Sequence, residues 1–288
     1  MGLFFGFLSI LLMSSQPVVS KIIIPTTGAA FPALINAVFA MIFFDIINFY
    51  QTKSIKIPMT KPSIVSGFAN GIGLALMFLA IQSLHPAIFG FVGRLGVVFM
   101  MVLSTLFLKQ RPDKIEVGLG LVAVLGALGS AFSDFSSASF FGLLFALGSA
   151  FCFSISNLSL KFAADRASNS QVLTCTNLIA SILLFIYFIL NSKNFVLPSD
   201  LKIWLLMLVT ALLGNCIGFW CYMKSLKYLT FSRATLIRTT SPLFTAAISI
   251  PFFGFNFSTS QVASAFVLLL SILILTEYER RKKISGVD

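Results

Sequence analysis

Two arginines, Arg94 and Arg238, stand inside long apolar stretches, in the settings Val92-Gly93-Arg94-Leu95-Gly96 and Leu236-Ile237-Arg238-Thr239-Thr240. A guanidinium is planar and permanently charged, and its fork of donors meets carboxylate or phosphate oxygens in pairs. In hydrocarbon an unpaired arginine costs on the order of 3 kcal/mol on insertion scales, so each must face water, a ligand or an internal partner. Each lies about eight residues into its stretch, roughly 4 Å from the middle at about 1.5 Å of rise per residue, too deep to reach the interface. Two readings are open for the pair: cavity-lining groups that converge on an anion, or buried cations held by helix carbonyls or by Asp45.

Other polar residues share these apolar surroundings. Asn70 and Asn215 can hydrogen-bond a solute or bridge neighbouring helices. Asn157, with Ser154 and Ser156, makes its stretch unusually polar, and Gln16-Pro17 is expected to interrupt the first stretch near its middle, by a kink that frees backbone carbonyls or by simple tilting. Trp220 and Tyr222 can stack on a flat solute, or pack or sit at an interface. The candidate substrate-binding set is therefore Arg94, Arg238, Asn70, Asn215, Asn157, Trp220, Tyr222 and Gln16. Of nine acidic residues only Asp45 lies well inside an apolar stretch, so a relay of buried carboxylates is hard to build. The single histidine, His85, precedes Pro86 at a break and is read as a turn residue. Catalysis within the membrane needs a convergent nucleophile and base or a metal cluster, and neither grouping is present. Cys152, Cys175, Cys216 and Cys221 all sit in apolar runs without zinc-ligand spacing. No enzyme, cofactor or metal is expected.

These side chains need elements to hold them, and composition says what those are. Of 288 residues 58% are hydrophobic and 10% charged, and the mean hydropathy is +0.99. Water is not the main solvent of such a chain. Apolar runs bounded by turn signals predict spans near 3–24, 29–50, 63–84, 86–107, 115–132, 140–163, 171–190, 201–223, 231–253 and 260–278. The runs lack the alternation of membrane barrel strands, so the fold class is all-α: an integral membrane protein with ten transmembrane helices. The first run lacks a basic leader and a cleavage site and is read as a retained span.

Lys and Arg test this division independently. With the N-terminus inside, fifteen of the 20 basic residues fall on inner segments: Lys53, Lys56, Lys61, Lys109, Arg111, Lys114, Lys161, Arg166, Lys224, Lys227, Arg233 and the run Arg280–Lys283. Lys21, Lys193 and Lys202 fall outside. Both termini are thus expected on the cytoplasmic side, and the net charge of +11 reflects a lipid bilayer rather than nucleic acid.

The two halves match in order. Asn70-Gly71-Ile72-Gly73 parallels Asn215-Cys216-Ile217-Gly218, Arg94 parallels Arg238, Phe4-Phe5-Gly6 parallels Phe140-Phe141-Gly142, and Lys21 parallels Lys161. Five spans per half invert the second relative to the first, the plan of many secondary transporters. The expected organisation is a first five-helix repeat at 1–138, a second at 139–278 and a basic tail at 279–288.

Several segments carry a family likeness: Phe78-Leu79-Ala80-Ile81-Gln82-Ser83-Leu84, Leu106-Phe107-Leu108-Lys109-Gln110-Arg111-Pro112 and Val117-Gly118-Leu119-Gly120-Leu121 in the first half. The second half repeats the plan in Lys224-Ser225-Leu226-Lys227-Tyr228-Leu229, Ser241-Pro242-Leu243-Phe244 and Phe252-Phe253-Gly254-Phe255. On these the chain resembles the EamA-type group of the drug/metabolite transporter superfamily. The resemblance implies ten helices in two inverted repeats around a central cavity lined by spans three, four, eight and nine, with contributions from one and six. Gln110 and Phe255 stand where that group often has a glutamate, so no role for that carboxylate is carried over. The expected function is secondary-active or facilitative transport of a small metabolite, an amino acid or other anionic or zwitterionic solute, by alternating access. A non-transporting sensor or assembly partner is the alternative. The expected setting is a plasma membrane of the bacterial inner-membrane kind, as a monomer or homodimer.

Overall fold

In hydrocarbon every backbone polar group must find its partner inside the chain, and a sequence of long apolar runs meets that demand with helices. The structure is a computed structural model that describes residues 1–53, 57, 59–108, 114–131, 137–164, 167–191, 197–226, 228, 238, 240–254 and 258–285. Lys56, Lys109, Gln110, Arg111, Arg166, Lys193, Lys227, Arg233 and Phe255, which entered the sequence reading, lie outside these.

Among the described residues all regular structure is helical. The first half contains α1 (Gly2–Thr27), α2 (Ala30–Thr52), α3 (Lys61–Ser83), α4 (Pro86–Gly93), α5 (Gly96–Leu108) and α6 (Lys114–Ala131). The second contains α7 (Ser137–Ala164), α8 (Asn169–Asn191), α9 (Leu201–Thr210), a π-helical segment (Ala211–Gly218), α10 (Phe219–Leu226), α11 (Ser241–Phe253) and α12 (Thr259–Ser285). Seven stretches among the described residues are long and apolar enough to cross a membrane: Gly2–Thr27, Ala30–Thr52, Lys61–Ser83, Pro86–Phe107, Phe140–Ala163, Asn169–Asn191 and Leu201–Tyr222. Ser241–Phe253 and Val262–Tyr278 are shorter apolar helices. The protein is a multi-pass membrane protein. Its outer surface fits lipid, with Phe4, Leu11, Ile46, Phe68, Phe107, Leu125 and Phe185 all exposed.

Local chemistry sets the ends. Thr60 caps α3 by accepting from the Ser63 N–H at 3.3 Å, and Asp200 caps α9 by accepting from the Lys202 N–H at 2.8 Å. Gly28 (φ 69) and Gly254 (φ 73) close α1 and α11 in a backbone region that other residues avoid. Against expectation, α1 runs through Pro17 without a break; the missing N–H frees only the carbonyl of Met13, four residues back. The basic segment expected from 279 begins within α12, which continues to Ser285.

The halves interlock. α3 packs on α7 and α8, while α1 packs on the π-segment, α10 and α11. α2 packs on α8 and on the π-segment, α4 on α11, α4 and α5 on α7, and α6 on α12. Each of these pairings has a counterpart, or is its own, when the helices of one half are exchanged for those of the other. The first helix of each half is thus lodged in the opposite half. Contacts are close where side chains are missing: a Cβ on Gly71 of α3 would stand 3.1 Å from the Ala180 Cα of α8. The core cluster around Phe78, Ile81, Ala80 and Val92 joins α3 and α4 to Ala33 and Ala37 of α2, Ala146 of α7 and Leu184 of α8.

Candidate functional site

The fourth predicted span is two helices. α4 ends at Gly93, Arg94 and Leu95 form a turn, and α5 restarts at Gly96. Here the backbone bonds are i→i−3: Arg94 N–H to Phe91 O, Leu95 N–H to Val92 O and Val97 N–H to Arg94 O, each 3.0 Å. Such a tight turn in mid-helix marks a hinge or a site. In the second half the described residues resume just before α11. Thr240 is a turn residue, α11 starts at Ser241 with Pro242 in its first turn, and the Leu243 N–H bonds back to Thr240 O at 3.0 Å.

Two equivalent contacts hold the break of span four and the start of α11. Ser154 of α7 donates its hydroxyl to Gly96 O at 2.9 Å, and Ser14 of α1 donates to Ser241 O at 3.1 Å. Ser14 and Ser154 are 140 positions apart, the spacing of Lys21 and Lys161; Gly96 and Ser241 are 145 apart, the spacing of Asn70 and Asn215. The arginines join these two places. Arg94 Nη1 donates to the Arg238 carbonyl at 3.0 Å, while Arg94 Nε is buried with no partner. The Arg238 guanidinium carbon lies 4.3 Å from the centre of the buried Tyr222 ring, a cation–π contact. Of the two sequence readings, a helix-type carbonyl does take one Arg94 donor, but Asp45 does not supply the partner: its Oδ1 is itself buried with no hydrogen bond.

A second polar group is built from amides. Asn36 Oδ1 on α2 accepts from Asn215 Nδ2 of the π-segment at 2.5 Å and from Gln16 Nε2 of α1 at 3.4 Å. Gln16 is 6% exposed and Asn36 1%. Gly214 makes room for this: a Cβ there would run into the Gln16 carboxamide and stand 3.0 Å from its Cβ. The wider i→i+5 turn of Ala211–Gly218 carries Asn215 toward α2.

The candidate residues thus divide. Arg94, Arg238 and Tyr222 come together, and so do Gln16 and Asn215. Trp220 is covered by Lys224, whose Nζ lies 3.9 Å from the ring centre and 5.3 Å from that of Phe5. Asn70 is half-buried on α3, one turn beyond Ser66, which bonds Ser156 at 2.9 Å; Asn157 is exposed on α7. Neither joins the two clusters. His85 is the N-cap of α4, its Nδ1 accepting from the Ala87 N–H at 3.2 Å. It lies between spans, and burial first, then the neighbouring Lys21 charge, hold it below its ordinary 6.5.

Sequence reasoning missed Asn36, Ser14 and the π-segment. Ser14 was available as the counterpart of Ser154 in the repeat. Asn36 had no matching asparagine at the expected spacing, and no residue pattern announces a π-turn.

Comparison with known proteins fits this architecture. Among curated proteins nothing matches the chain. A protein solved by crystallography aligns over 96% of both chains with a TM-score of 0.66 at 18% identity, a likeness of fold alone. The profile of the EamA-like transporter family matches twice, at residues 1–132 and 140–277, one copy to each half. The chain belongs to the EamA-like transporter family.

Proposed function

We propose that the protein moves a small anionic or zwitterionic metabolite, such as an amino acid, across the membrane by alternating access. In this reading ten spans form two inverted repeats, 1–138 and 139–278, with both termini and the basic segment 279–288 on the cytoplasmic side of a plasma membrane. The observation that carries it is the meeting of Arg94, at the break of the fourth span, with Arg238, just before α11. One buried Nε there has no protein partner. A guanidinium so placed needs an acceptor, and a carboxylate or phosphate oxygen supplies one. Breaks in spanning helices are where such carriers bind their solutes, since only there is backbone free to move or to be solvated.

The test is counterflow in proteoliposomes with labelled amino acids, organic acids and phosphorylated metabolites, comparing the parent with Arg94→Ala and Arg238→Ala. Saturable flux lost in both variants is expected. Flux that survives both would return the arginines to a purely structural role.

A further inference from the structure

The two halves match in sequence and pairing but not in detail. At the spacings of 140 and 145 already seen, Gln16 corresponds to Ser156, Pro17 to Asn157, Ser20 to Leu160, Asn36 to Thr176 and Asn215 to Asn70. In one set Gln16, Asn36 and Asn215 are bonded together, and Pro17 and Ser20 are buried beside them. In the other set Ser156 is bonded instead to Ser66 of α3, at 2.9 Å, and the counterparts of Asn215 and Asn36 are not bonded to each other. Asn157 is exposed, Leu160 is half-buried, Asn70 has no side-chain hydrogen bond among the described residues, and Thr176 Oγ1 is buried without one in a residue only 2% exposed. The helices differ too: span eight is π at Ala211–Gly218, whereas α3 is regular α through Asn70.

This is the asymmetry expected of an inverted-repeat carrier caught on one side, because its opposite state is reached when each repeat takes the other's conformation. The closed set belongs to the end marked by Lys21, whose Nζ donates to Gln82 O at 2.7 Å, and by His85 edge-on to Phe253. The other set lies toward Lys161. We propose that Asn70 and Thr176 are the lock of the opposite state. When the site turns over, the Gln16–Asn36–Asn215 cluster opens and Asn70 donates to Thr176 Oγ1. α3 then takes at Asn70 the wider register that span eight has here. Gly67 and Gly71 already bring α3 within reach, since a Cβ on Gly67 would stand 3.0 Å from the Thr176 carbonyl. The proposal rests on the alternating-access reading, and it gives the orphaned Thr176 hydroxyl its partner.

The experiment is labelling of Asn157→Cys in proteoliposomes by a membrane-impermeant thiol reagent added on the Lys161 side, with the labelling of the parent subtracted. Asn215→Leu, which removes the closed lock, should slow labelling about fivefold, the effect of one net hydrogen bond. Adding Thr176→Val or, separately, Asn70→Leu should restore it, because each removes the lock of the competing state. Thr176→Ser, which keeps the hydroxyl, should not. Restoration by both hydroxyl- and amide-deleting variants supports the assignment. Further slowing or no change from either, in protein that retains its thermal unfolding transition, overturns it. Saturable flux in the parent, measured in parallel, separates the two readings: its absence sinks the carrier, whereas flux with unrestored labelling sinks only the lock.

Discussion

Removal of the Asn36 carboxamide should destabilise this conformation, and the geometry says by how much and through which partner. One oxygen accepts two donors. The bond from Asn215 is short at 2.5 Å, while that from Gln16, at 3.4 Å, lies beyond the usual 2.7–3.2 Å range. A net hydrogen bond contributes about 1 kcal/mol, and interhelical bonds in membranes average nearer 0.6 kcal/mol. Leaving a buried amide unpaired adds about 1–3 kcal/mol, reduced where the partner finds water. Asn36→Leu should therefore cost about 1.5–3 kcal/mol, whereas Asn36→Asp, which keeps an acceptor facing both donors, should keep both hydrogen bonds. The loss should divide unevenly. A double-mutant cycle of Asn36→Leu with Asn215→Leu should show coupling of about 1 kcal/mol, and one with Gln16→Leu at most about 0.5 kcal/mol. Equilibrium unfolding in detergent micelles gives these numbers. Coupling to Gln16 equal to or larger than coupling to Asn215 would refute the assignment of Asn36 as principal partner of the π-segment.

Other outcomes follow from the same structure. Gly214→Ala drives a methyl into Gln16, so it should cost about 1–3 kcal/mol as overpacking, and Gln16→Ala in the same chain should relieve it. On α6 a Gly126 Cβ would stand 2.8 Å from the Leu268 N and 2.9 Å from the Ser264 O of α12; these are backbone atoms that cannot swing aside. Gly126→Ala should lower the detergent melting temperature more than Gly93→Ala, which meets open space. Tyr222→Phe should keep the contact that holds Arg238, while Tyr222→Leu should raise the half-saturation concentration for the proposed anionic or zwitterionic solute by about two- to fivefold. At His85 the folded value lies below 6.5, so the unfolded chain takes up the proton first. Stability is then intact above pH 6.5 and falls as the pH drops below it, until the folded protein also binds the proton. His85→Asn, still a good N-cap, should flatten that acid limb in melting temperatures recorded from pH 7.5 down to 5.

The spans were legible because lipid imposes one rule on every residue of them, and composition alone carries it. The ends of α2, α3 and α8 fall within about two residues of their apolar runs, where capping by Thr60 or a polar break stops the helix. The duplication was legible for a similar reason: Lys21 with Lys161 and Arg94 with Arg238 are rare residues in an apolar text. The turn within span four and the π-segment of span eight were not. Gly93-Arg94-Leu95-Gly96 reads as uninterrupted hydrophobic helix, and the turn there is held by Ser154 from a helix some sixty residues away in sequence. Likewise, Asn215 was visible as a polar residue, but its partner Asn36 lies 179 positions earlier. Such contacts are tertiary, and a pattern read along one helix does not contain them.

The lodging of each half's first helix in the other half bears on how the chain is made. α1 leaves the ribosome long before its principal neighbours, the π-segment, α10 and α11. Until they arrive, the buried Ser14, whose acceptor is the Ser241 carbonyl of α11, has only lipid or transient partners beside it. α7 enters a groove already prepared by α3, α4 and α5. Assembly is therefore polarised despite the symmetry of the product: the amino-terminal half waits open for its own first helix to be claimed, and a chain arrested after that half displays an unfilled seat and an unseated helix side by side.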